Sequence, residues 1–132
     1  MPRFTHPRLD DVALENVLHA LADPARLAIV RRLDADRQSE GEGLACGGAA
    51  ACDVPRATLS NHFTILRAAG LIESRKQGVQ VINRLRRDEI DRRFPGVLAA
   101  VLAADAAPAR ARLIDSSGKP HLPFIDRRTR RV

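Results

Sequence analysis

The stretch Val54-Pro55-Arg56-Ala57-Thr58-Leu59-Ser60-Asn61-His62-Phe63-Thr64-Ile65-Leu66-Arg67-Ala68-Ala69-Gly70-Leu71-Ile72 decides how this chain folds. Leu59, Phe63 and Leu66 recur at helical spacing and make one apolar face. Arg56, Ser60, Asn61, Thr64 and Arg67 fall on another face. Gly70 supplies a left-handed stop, after which Leu71 can fold back on the helix. Short hydrogen-bonding side chains let a helix sit deep in a DNA groove, and flanking arginines reach bases or phosphates. The stretch therefore reads as a recognition helix.

Charge supports that reading. The net charge is +6 over 132 residues, and it is unevenly placed. Residues 55–87 hold seven basic side chains against Glu73 alone, whereas residues 10–54 hold nine acids against four arginines. Positive charge gathered on the helix and on the segment C-terminal to it is the footprint of a phosphate-binding face; a merely solvated charged surface is the plainer alternative.

The length allows one domain, and a chain this small gains from burying surface against a second copy. No run approaches the roughly 18 apolar residues of a membrane span, and the start has no signal-peptide pattern. A cytoplasmic protein with no membrane association is expected. Cys46 and Cys52 then default to free thiols. No CxxC or HExxH spacing, paired carboxylates, activated nucleophile or phosphate-cradling glycine loop is present. No metal site, cofactor or catalytic residue is expected.

Outward from the recognition helix, residues 1–9 read as a flexible arm, residues 10–105 as one folded domain, and residues 106–132 as a basic, disordered tail. Asp10 or Asp11 can cap a first helix carrying Leu14, Val17, Leu18 and Leu21 on one face. Asp23-Pro24 restarts the chain into a second helix to about Leu33, with Arg26, Arg31 and Arg32 outside. Asp34–Gly43 reads as a loop, and Leu44–Cys52 as a short helix packed close to its neighbours. Asp53-Val54 then turns into the recognition helix, giving a helix-turn-helix. Leu71–Lys76, a turn at Gln77-Gly78 and Val79–Leu85 form a hairpin. Its basic tip makes it a wing that lies along the DNA flank. Asp88 caps a turn with Ile90 and Phe94 inward, and Pro95 opens a last helix bearing Val97, Leu98, Val101 and Leu102. The fold class is mainly α with a β-hairpin wing.

This order of elements resembles the ArsR/SmtB family of winged helix-turn-helix repressors over residues 10–105. Three stretches carry the likeness: Ala20–Val30 around Asp23-Pro24, Thr58–Ile72, and Arg75-Lys76-Gln77-Gly78. The resemblance implies a homodimer built by the first and last helices, with Leu14, Val17, Leu98 and Leu102 at the interface. It implies binding to double-stranded operator DNA through Arg56, Ala57, Ser60 and Asn61, with Thr64 and Arg67 on the same helix. Arg75, Lys76, Gln77 and Gln80 would hold the flank. The family's serine is replaced here by Pro55, which removes one phosphate contact.

Many such repressors bind metals or metalloids through two cysteines before the recognition helix. Leu44 and Cys46 occupy those positions, so one thiol of the pair is kept. A soft ion needs two or three thiolates. Cys46 reads as a packed thiol, with thiol sensing as the alternative; the effector could be a small molecule, a metalloid or an oxidant. On the last helix Asp105 matches the family's second metal site but the histidines are missing. His62 reads as orienting the helix or touching phosphate. The rival to a DNA-binding repressor is a winged-helix module that docks a protein partner without specific DNA binding.

Overall fold

The computed structural model describes residues 4–50 and 54–106. Cys52, Asp53 and the basic tail lie outside the described residues. Packing divides the chain into residues 1–98 and residues 99–132. The first unit opens with a 3-10 turn at Leu9–Asp11 and holds α1 (Leu14–Leu21), α2 (Pro24–Gln38), β1 (Leu44–Ala45), α3 (Cys46–Ala49) and α4 (Arg56–Ala68). The wing strands β2 (Ile72–Gln77) and β3 (Gln80–Leu85), then α5 (Arg87–Arg93), come next. The last helix, α6 (Val97–Asp105), begins in the first unit and continues into the second.

Helix α4 is held by its apolar face. Phe63 and Leu66 are buried, as are Leu71 and Ile72 just after the helix. Burying a side chain of that size contributes about 1.5–3 kcal/mol. Pro55 at the N-cap gives no side-chain hydrogen bond, so packing rather than capping fixes the helix. Its other end closes on Gly70, at φ 75°. Leu71 N–H then donates to Leu66 O at 3.1 Å and Gly70 N–H to Arg67 O at 3.0 Å, the Schellman closure that satisfies the last carbonyls.

Several expectations change. The first helix is not capped by Asp10 or Asp11; those residues sit in the 3-10 turn, and Ala13 precedes α1 without a side-chain cap. Helix α2 runs on to Gln38. Its polar end resembles a loop in sequence, but Asp34 is buried there, 2.9 Å from Arg87 Nη1. Leu44-Ala45 is not helical: it pairs antiparallel with Ile82 and Asn83 of β3, making a three-stranded sheet in the order β1-β3-β2.

The hairpin turn also shifts by one residue. Gln77 pairs with Gln80, leaving Gly78-Val79 as the two-residue loop. Gly78 lies at φ 62°. A two-residue hairpin turn needs a positive φ at its first central position, so the glycine takes that place and pushes Val79 out of the strand. Val79 is 100% exposed.

Arg26 is buried, not outside. Its Nε donates to Ala20 O at 2.8 Å and its Nη2 to His19 O at 3.2 Å. It thus neutralises the carbonyl end of α1, where a cation is favoured. Asp23 caps α2 by accepting from Ala25 N at 2.9 Å and Arg26 N at 3.1 Å. Together these two residues set the corner between α1 and α2.

Candidate nucleic-acid interface

Burying Phe63 and Leu66 leaves the opposite face of α4 to solvent. Arg56, Ala57, Ser60, Asn61 and Thr64 are all exposed there. Arg56 pairs with no described residue. Thr64 Oγ1 donates to Ser60 O at 3.0 Å, so the hydroxyl at this position is held against its own helix. His62, on the edge between the faces, is buried. Its Nδ1 lies 3.4 Å from Arg26 Nη1. Because a guanidinium only donates, Nδ1 is the acceptor in this contact. His62 therefore locks α4 onto the α1–α2 corner.

At the wing, Arg75, Lys76, Gln77 and Gln80 are exposed. Arg75 Nη2 donates to Glu42 O at 3.2 Å, so one of its nitrogens braces the loop before β1. The lone acid of the segment, Glu73, lies 3.9 Å from Arg84 and is offset locally. The face made by α4 and the wing tip thus presents cations and amides without a competing carboxylate from its own segment.

Arg67 is unlike the other expected contacts because it is half-buried. Its Nη1 donates to Ser74 Oγ at 3.1 Å and its Nη2 lies 3.3 Å from Thr64 Oγ1. Burial, only partly offset by the Cys46 sulfur, holds its pKa below the ordinary guanidinium value. Ser74 Oγ also bonds Asn83 Oδ1 at 2.6 Å. Asn83 Nδ2 then donates to Leu44 O at 3.2 Å and Cys46 Sγ at 3.3 Å. One polar chain therefore runs from the start of α3 through both wing strands to the last turn of α4.

Residues 4–9 are not a loose arm. Phe4 lies under the Arg67 guanidinium, 4.6 Å from ring centroid to Cζ. His6 Nε2 accepts from Ser74 N–H at 2.9 Å. Pro7 O accepts from Arg86 Nη1 at 2.9 Å. Strand β2 is a sheet edge, and His6 covers one of its outward donors. Ser74 and Asn83 were the legible clue to this network: each is polar at a register position shared with buried apolar neighbours. No comparable signal marks Phe4 or His6.

Cys46 is a half-buried free thiol. Among the described residues, no three His, Cys, Asp or Glu side chains gather to hold a metal ion. Leu14 and Leu18, one helical turn apart on α1, are 40% and 45% exposed. Val17 and Leu98 are wholly buried within the single chain. Leu102, in the second unit, is half-buried.

Residues 21–75 match a family model described as a helix-turn-helix domain. The chain is 36% identical over 96 residues to an uncharacterised HTH-type transcriptional regulator of Bacillus subtilis, YceK, covering 72% of this chain and 92% of that protein. It is 34% identical over 86 residues to the HTH-type transcriptional repressor SmtB of Mycobacterium tuberculosis, covering 64% of this chain and 60% of that one. The crystal structure of the transcriptional repressor BigR from Xylella fastidiosa superimposes with a TM-score of 0.52 at 25% identity, over 71% of this chain and 87% of that one.

Proposed function

This chain belongs to the ArsR/SmtB family of winged helix-turn-helix transcriptional repressors, and from that premise we propose how it reads DNA and how it is assembled. It is a DNA-binding repressor. Arg56, Ala57, Ser60 and Asn61 enter the major groove on α4, with Asn61 and Arg56 reading base edges and Ser60 and Thr64 placing the helix. Arg75, Lys76, Gln77 and Gln80 hold the flanking backbone. Arg67 acts mainly from within, by fixing the last turn of α4 to the wing.

The observation that carries this reading is the shared exposure of the α4 polar face and the basic wing tip, on one segment with its single acid already offset. Backbone cations supply affinity and register, and amide or guanidinium contacts to base edges supply sequence preference.

The working unit is a two-fold dimer joined through α1 and α6. Support comes from Leu14 and Leu18, large apolar side chains left exposed on one face. Val17 and Leu98 are buried within each protomer. A dimer of this kind would place two recognition helices on half-sites about one helical turn apart. The protein acts in the cytoplasm and catalyses no reaction; among the described residues no helix is long and apolar enough to cross a membrane. A small effector, as yet unidentified, releases it. Hydroxyl-radical footprinting on the DNA upstream of its own gene tests the arrangement. Two protected patches one turn apart support it, and a protected patch of a single half-site contradicts the dimer.

A further inference from the structure

Among the described residues, four arginines are withdrawn from solvent: Arg26, Arg67, Arg86 and Arg87. Arg86 meets Glu89 at 2.6 Å, and Arg87 meets Asp34 and Asp91 at 2.9 Å each. Arg26 sits on the carbonyl end of α1. Arg67 differs, since its two hydrogen-bond partners are neutral hydroxyls. A cation taken partly out of water with two hydroxyls and an aromatic face but no carboxylate keeps part of its desolvation cost.

That cation borders a cavity of about 370 Å³ between α3, α4 and the arm. Phe4, Leu59, Phe63 and Val81 give it apolar walls. Arg56 and Arg67 are its two cations, and no described carboxylate lines it. Ligand pockets run from about 300 to 1,000 Å³ and pair apolar walls with a few placed polar groups.

We propose that the cavity binds a small organic acid, an aromatic or branched apolar body carrying one carboxylate-like anionic head that rests on Arg67, with the body lying along the apolar walls toward Arg56. The inference rests on the DNA-binding reading, because Arg56 and Ser60 line the cavity and also belong to the DNA-contacting face. An acid seated there covers Arg56 and Ser60 and places a negative charge on the DNA-contacting face. Occupancy and DNA binding are then mutually antagonistic, by equal factors in both directions. The site needs no thiol chemistry.

The test uses two dyes on the full-length protein. 1-Anilinonaphthalene-8-sulfonate carries the anionic head, and N-phenyl-1-naphthylamine has the same rings without it. The anionic dye is expected to bind one per chain, about tenfold tighter than the neutral one, as charge-assisted hydrogen bonds imply. Saturating duplex from the gene's upstream region should displace it. Arg67→Gln should weaken the anionic dye by about tenfold and leave the neutral dye unchanged. Gly47 lines the cavity, and a Cβ there meets nothing within 4 Å. Gly47→Leu should therefore fill the space, abolish binding of both dyes and retain DNA binding.

Equal affinity for both dyes, or dye binding indifferent to duplex, overturns the proposal. So does a folded Gly47→Leu chain that binds dye as the parent does. The displacement experiment needs no variant, so a misfolded mutant leaves it standing. If the chain binds no duplex at all, the repressor reading fails instead, while the contrast between the dyes still reports on the cavity.

Discussion

Arg67 Nη1 donates to Ser74 Oγ at 3.1 Å, and through that bond the last turn of the recognition helix is tied to the first strand of the wing. Ser74 also bonds Asn83 Oδ1 at 2.6 Å, so Ser74→Ala strands a buried amide oxygen and a half-buried guanidinium together. A loss of about 1–3 kcal/mol is expected, read from the shift of the urea midpoint at unchanged slope. Ser60→Ala, on the exposed face, should cost less than about 0.5 kcal/mol. A Ser74→Ala midpoint equal to the parent's would contradict the network.

The arm provides a second test. His6 Nε2 accepts from Ser74 N–H, which only a neutral imidazole can do. His6→Ala should expose that edge donor and raise hydrogen exchange at the Ser74 amide. Phe4→Ala removes the ring beneath Arg67 and should cost about 0.5–2 kcal/mol. Unchanged Ser74 exchange in His6→Ala would show that the arm does not hold the wing.

Asp23 gives a pH dependence. The backbone donor of Arg26 is the chief influence on its carboxyl, and it outweighs burial to hold the pKa below 3.8. The fold therefore favours the charged form. Its contribution is complete above the unfolded carboxylate value of about 3.9, and is lost as pH falls through the lower folded value. Asn keeps the capping acceptor but does not titrate. The Tm difference between the parent and Asp23→Asn should be constant near neutrality and shrink below about pH 4. A difference that widens in acid would reverse the argument.

The exposed pair on α1 bears on assembly. Leu18 is 45% exposed in the single chain, so Leu18→Glu should leave the protomer's helical content unchanged. In a dimer it buries a charge against a partner. Sedimentation should show a shift toward monomer, with operator affinity falling more than tenfold as the two half-sites uncouple. A Leu18→Glu chain that sediments as the parent does would move the interface elsewhere.

Much of this architecture was legible because period and punctuation agreed. Phe63 and Leu66 marked the buried face of α4, with Leu59 only half-buried at its edge; Gly70 marked its end, and Asp23-Pro24 the start of α2. The misreadings share a cause: tertiary partners override local composition. The end of α2 reads as a loop because its residues are mostly polar, yet Asp34 is buried there against Arg87, a distant partner that no local pattern reveals. Leu44-Ala45 reads as helix because its β3 partner lies nearly forty residues ahead. Arg26 reads as surface because its acceptors are backbone carbonyls. The α4 face emerged from spacing alone, whereas the internal tethering of Arg67 depends on Ser74 and Phe4, which only the fold brings to it.

The most direct test of the central claim is equilibrium binding to labelled duplex from the gene's upstream region, titrated with salt against a scrambled duplex. Lys76→Ala should weaken binding to both duplexes alike and flatten the log–log salt slope by about one unit. Asn61→Ala should lower affinity for the upstream duplex by about 1–3 kcal/mol and little for the scrambled one. If the folded protein does not prefer the upstream duplex, or if Asn61→Ala leaves the preference intact, α4 is not the element that reads the sequence.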